Sequence, residues 1–165
     1  AFIFAAQMIN LPIAGGTSGH LLGGVLAAVL LGPWSASIIM TTVLALQAFI
    51  FLDGGITVLG ANILNMAVIG VFAGYGVYLL FSKAWPNRTG ALVGTFVGSW
   101  VSVVLAATAC ALEISFSGMG AIKIVLPAMI GWHVLIGLVE AVITTAVVSY
   151  LTQVRPDLVQ QTAKA

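Results

Sequence analysis

Charge is almost absent from this chain. Five Lys or Arg and four Asp or Glu make up 5% of its 165 residues. A water-soluble domain carries about 25%. With 61% hydrophobic residues and a mean hydropathy of +1.20, too little polar surface remains to cover a globule in water. The matching solvent is lipid, where every backbone N–H and C=O must pair within the chain, as helices or a closed barrel. Barrel strands alternate over about 10 residues, and spanning helices need about 20 apolar ones. The sequence has long apolar runs and no sustained alternation. The expected fold class is therefore all-α, a polytopic membrane helix bundle forming a single transmembrane domain over residues 1–165.

The apolar runs predict about six membrane segments. Ala1 to Leu11 reads as the end of a spanning helix, followed by a polar break holding Pro12, Gly15, Gly16, Thr17, Ser18, Gly19 and His20. Leu21 to Leu31 is too short to cross a bilayer alone at about 1.5 Å per residue. Gly32-Pro33 ends it, and Pro33 suits the first turn of the next helix. Trp34 to Leu52, Ala61 to Phe81, Thr89 to Leu112 and His133 to Val154 read as spans. Glu113 to Gly120 reads as a Ser/Gly loop, and Ile122 to Trp132 as an ambiguous apolar stretch broken by Pro127. Residues 155–165 form a polar tail. Lys83 and Arg88 share one loop, and Arg155 and Lys164 share the tail, so the basic residues place both in the cytoplasm. The His20, Asp53 and Glu113 loops then lie outside, with Lys123 as the one basic exception. Trp34 and Trp85 fall at the inner interface and Trp132 at the outer one. The chain opens at Ala1-Phe2 inside an apolar run, without Met, which reads as an N-terminally truncated sequence.

In such a chain the scarce polar side chains are the candidates for function. His20 follows a glycine-rich loop. Imidazole is a common ligand for nickel, cobalt, zinc and copper, and the glycines let backbone fold close around an ion. One imidazole does not make a metal site, and Thr17 and Ser18 serve equally as N-caps. Asp53, in Asp53-Gly54-Gly55, is either a turn residue or a carboxylate beside a cation entry path. Asn62 and Asn65 lie one helical turn apart on a shared face, as helix staples or cavity lining. His133 and Glu140 lie two turns apart on the last span. Glu140 is either an intramembrane functional acid or an anchor to Gln47, Thr41 or an asparagine. The lone Cys110 reads as a buried, inert thiol. Gly70 and Gly74, and Gly90, Gly94 and Gly98, let helices approach closely, within the bundle or against a partner. A net charge of +1 without a basic patch argues against nucleic acid. No phosphate-cradling glycine loop followed by lysine, no nucleophile–base pair and no HExxH is present, so enzymatic chemistry is not expected.

Four motifs in this order carry a resemblance: Gly-Gly-Thr-Ser-Gly-His-Leu-Leu-Gly-Gly (15–24), Leu-Gly-Pro-Trp (31–34), Asp-Gly-Gly-Ile-Thr-Val-Leu-Gly-Ala-Asn-Ile-Leu-Asn-Met (53–66) and His-Val-Leu-Ile-Gly-Leu-Val-Glu-Ala-Val-Ile-Thr (133–144). Together they resemble the CbiM/NikM family, the integral substrate-capture components of energy-coupling-factor cobalt and nickel importers, from Ala1 to about Leu158. The resemblance implies a bundle of about seven membrane helices in the complete protein, in the cell membrane of a prokaryote. It implies Co2+ or Ni2+ as transported substrate, bound transiently near the outer face. It also implies a transmembrane coupling subunit, cytoplasmic ATPase subunits and a small accessory membrane subunit as partners. The family holds its ion through the N-terminal amine, a histidine after the initiator methionine and a histidine of the first outer loop. The last carries over to His20, with Gly15, Gly16 and Gly19 shaping its loop and Asp53 and Asn62 its mouth. A Met-His start is not among these residues. The competing expectations are a self-sufficient channel or carrier using His133 and Glu140, and a non-functional fragment.

Overall fold

The computed structural model describes residues 1–8, 11–13 and 17–160, with only the backbone described for 11–13, 17–18 and 160. The chain runs through α1 (Phe2–Gln7), a short antiparallel pair β1 (Leu11–Ile13) and β2 (Thr17–Gly19), α2 (Gly24–Leu31) and α3 (Pro33–Ile50). It continues through α4 (Leu59–Asn62), a π-helical stretch (Ile63–Gly70), α5 (Val71–Ala84), α6 (Arg88–Phe116), α7 (Ile122–Val154) and α8 (Pro156–Gln160). Among the described residues, four helical stretches are long and apolar enough to cross a membrane: Pro33–Ile50, Leu59–Ala84, Arg88–Phe116 and Ile122–Val154. The shortest, at 18 residues, spans about 27 Å at 1.5 Å per residue, close to a bilayer's hydrocarbon thickness.

The shortest apolar run lies at the centre. α2 has only eight residues, and Val25, Ala28 and Val29 are wholly buried, packed with Met40, Val71 and Val103. It is apolar all round because protein surrounds it. Gly23, at φ 74, turns the chain into α2, and Ile3 of α1 packs where a Cβ on that glycine would stand. Gly32-Pro33 separates α2 from α3, with Pro33 in the first turn, where its missing N–H leaves nothing unpaired.

Glycine sets the closest helix contact. A Cβ on Gly98 would lie 2.5 Å from the Gly74 carbonyl oxygen, and one on Gly94 would lie 2.8 Å from that of Tyr78. Gly74, Gly94 and Gly98 thus serve packing inside the bundle, between α5 and α6. α6 and α7 run antiparallel, tied by Trp100 Nε1 to the Val134 carbonyl (3.2 Å) and by Arg88 to the Ser149 hydroxyl (3.1 Å). Lys83, Arg88 and Arg155 therefore share one end of the bundle, and Asp53, Glu113 and Lys123 share the other.

The structure corrects four of the expected segments. α6 runs on to Phe116, so Glu113 belongs to a helix rather than a loop. Pro127 does not break the stretch after Ile122; α7 is continuous for 33 residues. A proline six residues into a helix removes one bond near its start, which later turns outweigh. The break after α1 contains a strand pair, with Leu11 opposite Gly19, Pro12 opposite Ser18 and Ile13 opposite Thr17. The tail after α7 opens with α8, whose Val159 packs against the core. Residues 161–165, including Lys164, lie outside the described residues.

Candidate functional site: a polar chamber between the hairpin and the long helices

At the end opposite Lys83, Arg88 and Arg155, the helices surround a cavity of about 320 Å³. Five of the polar residues singled out from the sequence line it: His20, Asp53, Asn62, Asn65 and His133. They arrive from the linker after β2, the turn after α3, α4, the π-helical stretch and α7, so no single sequence motif holds all five. His20 follows directly on β2, whose pairing ends at the buried Gly19. The side chains of Thr17 and Ser18 are not described, and Gly15 and Gly16 lie outside the described residues.

Asp53 ends the turn after α3. Its N–H donates to the Gln47 carbonyl (3.0 Å), and Leu52, Gly54 and Gly55 around it have positive φ values of 54, 77 and 74°. A leucine in that region is unusual; the glycines are not. Asn62 pins this turn, donating to the Gly54 carbonyl (3.0 Å). Asn65, three residues on, faces another way: its amide donates to Glu113 on α6 (2.7 Å). The π-helical stretch from Ile63 winds more widely than an α-helix, so the two asparagines splay to different partners instead of stacking on one face. π-helical turns concentrate at functional sites.

His133, on α7, is 7% exposed, and its Nδ1 bonds the Met129 carbonyl at 2.8 Å. His20 Nδ1 lies 3.3 Å from the Leu21 carbonyl. A carbonyl oxygen only accepts, so the 2.8 Å bond puts a proton on Nδ1 of His133 and leaves its Nε2 as the nitrogen free of that bond. The two rings are also electrostatic neighbours. Among the described residues, no three of His, Cys, Asp or Glu converge as a metal cluster.

Glu140 stands behind the chamber rather than in its lining. It is 2% exposed and accepts the N–H of Leu22 on Oε2 (2.5 Å) and that of Gly23 on Oε1 (2.8 Å). The expected partners do not take part: Thr41 bonds its own helix at Ser37, and Gln47 lines the cavity. The physical reason is the short α2. The extended backbone leading into it lies inside the bundle, where an unpaired N–H is costly, and a carboxylate is the strongest available acceptor.

Sequence reasoning did not single out Gln7 or Glu113. Gln7, on α1, is 2% exposed and donates through Nε2 to the Leu22 carbonyl (2.6 Å). Its Oε1, like the Oδ1 of Asn65, has no protein partner, and both residues line the chamber. A lone polar residue in an apolar run was the available signal for Gln7. Cys110 is only half-buried and contributes to the lining, as do Met66 and Met129. The thiol is thus not sealed in apolar packing.

Membrane-length helices around an internal polar chamber define a multi-pass helical membrane protein. Residues 1–158 match the family model CbiM, described as a cobalt uptake substrate-specific transmembrane region, and the chain belongs to that family. It is 49% identical to a putative fused nickel transport protein NikMN of Archaeoglobus fulgidus, over 99% of this chain and 54% of that protein. It is 32% identical to a cobalt transport protein CbiM of Sorangium cellulosum, over 98% of this chain and 73% of that protein. The chain thus spans about half the length of the fused relative. A crystal structure of a transition metal transporter superposes with a TM-score of 0.86 at 41% identity, covering 93% of this chain and 72% of that one. A truncated transition metal transporter gives 0.85 at 40% identity, covering 92% and 76%.

Proposed function

We propose that this chain is the metal-capturing membrane subunit of an ATP-driven energy-coupling-factor importer for cobalt or nickel ions, in the cell membrane of a prokaryote. His20 is the ligand within these residues, and Co2+ or Ni2+ is cargo, held transiently. A transmembrane coupling subunit, cytoplasmic ATPase subunits and a small accessory membrane subunit complete the assembly. The ATPases, not this chain, hydrolyse ATP. The observation that carries the reading is the placement of His20 in a chamber at the end away from Lys83, Arg88 and Arg155, with Asp53, Asn62 and His133 in the same lining. The basic-inside bias puts that end outside the cell. Relatives named for nickel and cobalt transport supply the substrate class, and nitrogen ligands suit both ions.

The full engagement of Glu140 by two amides weighs against the alternative in which His133 and Glu140 relay ions through a self-sufficient carrier. The test is the thermal stabilisation of the full-length protein by Ni2+ and Co2+, compared with His20→Ala. The variant is expected to lose most of the stabilisation. Equal stabilisation of both proteins removes His20 from the site.

A further inference from the structure

We propose that Gln7 and Glu140 are positioning residues that hold His20 in place by gripping the peptide backbone of Leu22 from two sides. This rests on the reading of His20 as a metal ligand.

The geometry is specific. Leu22 stands two residues after His20, between the strand pair and α2. Its N–H is taken by Glu140 of α7 at 2.5 Å, and its C=O by Gln7 of α1 at 2.6 Å. The other carboxylate oxygen takes the N–H of Gly23 at 2.8 Å. Both gripping side chains are 2% exposed and come from elements 15 and about 118 residues away. Among the described residues, the local tie on the His20 ring is the 3.3 Å contact with its neighbour's carbonyl, too weak to fix its place. The ring therefore stands where the Leu22 peptide is held. Partners that orient a ligand from behind typically contribute 10–100-fold in metal affinity.

The probes are Glu140→Gln and Gln7→Glu in the full-length protein. E140Q replaces one acceptor oxygen with an NH2 group that faces an N–H. Q7E replaces the donor to the Leu22 carbonyl with an acceptor. Thr152→Val, whose hydroxyl bonds only its own helix at Val148, is the control. The first readout is amide hydrogen exchange over residues 21–24 without metal, expected to speed up about tenfold or more in both variants. The second is affinity for Ni2+ and Co2+ alone, expected to fall roughly 10–100-fold. The third is the visible spectrum of bound Co2+, whose ligand-field bands should shift; a merely structural role leaves them in place. Unchanged exchange overturns the clamp. Faster exchange with wild-type affinity and spectrum overturns its role in placing His20. If E140Q yields no folded protein, Q7E carries the same readouts from the opposite side of the peptide. If the wild type binds neither ion, the transport reading fails, and the exchange readout alone then decides whether the clamp exists.

Discussion

The bundle holds its helices together in two ways. α5 meets α6 through glycine, backbone against backbone, with the Ser102 side chain alongside Gly74 and its hydroxyl without a hydrogen-bond partner among the described residues. α2 meets α7 through the Glu140 carboxylate and two backbone amides. The difference follows from what each helix can pair within itself. Among lipid tails there is no hydrophobic drive between helices, so long, internally satisfied helices gain from dispersion at close approach. A helix as short as α2 brings irregular backbone into the bundle, and that backbone needs polar partners from elsewhere. Glycine is used where the chain is complete, and charge where it is interrupted.

The two largest effects, of comparable size, are expected from breaking the glycine contact and the carboxylate contact. Gly98→Val places methyl groups where the Gly74 carbonyl already stands, and helices cannot separate locally without losing the whole seam. Over-packing of this kind destabilises by about 1–3 kcal/mol or more, read as a lower thermal midpoint and a smaller monodisperse fraction in detergent. Next comes Glu140→Ala, which strands two buried amides at about 1–3 kcal/mol each. A Glu140→Ala protein as stable as wild type would show that water enters and satisfies them. Asn65→Leu removes one hydrogen bond to a half-buried Glu113. A loss of about 1 kcal/mol is expected, with the same change from Glu113→Leu and no further loss in the double variant. The smallest effect belongs to Arg155 and Asp157, paired at 2.8 Å on the exposed end. The guanidinium holds the Asp157 carboxyl below its ordinary value, chiefly by hydrogen bonding. Its contribution is present above the ordinary carboxylate pKa and is lost as pH falls through the lowered one. Full exposure screens it, so the thermal midpoint of Asp157→Asn should match wild type at pH 7.

The long helices were legible because lipid admits so few backbone solutions that composition and run length nearly dictate them. His20, Asp53, Asn62, Asn65 and His133 were legible one by one, for the same reason: each stands out against apolar neighbours, although Gln7 of the same lining was passed over. Their meeting in one place was not, since His20, Asp53, Asn65 and His133 are brought together by helix packing rather than by spacing. The partners of Glu140 were hidden for a sharper reason. Backbone amides carry no side-chain signature, so the sequence offered only Gln47, Thr41 and the asparagines as candidates. Glu113 was hidden by the Ser and Gly residues after it, which read as a loop, although helix continues through Ser115 to Phe116. The strand pair of three residues each was too short to leave an alternating pattern.

The π-helical stretch from Ile63 to Gly70 makes the chamber sensitive to chain length in a way no side-chain substitution would reveal. Removing one residue there would shorten the span by only about 1.5 Å, yet rotate everything before it by about 100° relative to α5. Asn62 would swing away from the Gly54 turn it fastens, and one wall of the chamber would present a different set of side chains. A deletion scan through this stretch should thus abolish the chamber while the helix still crosses the membrane.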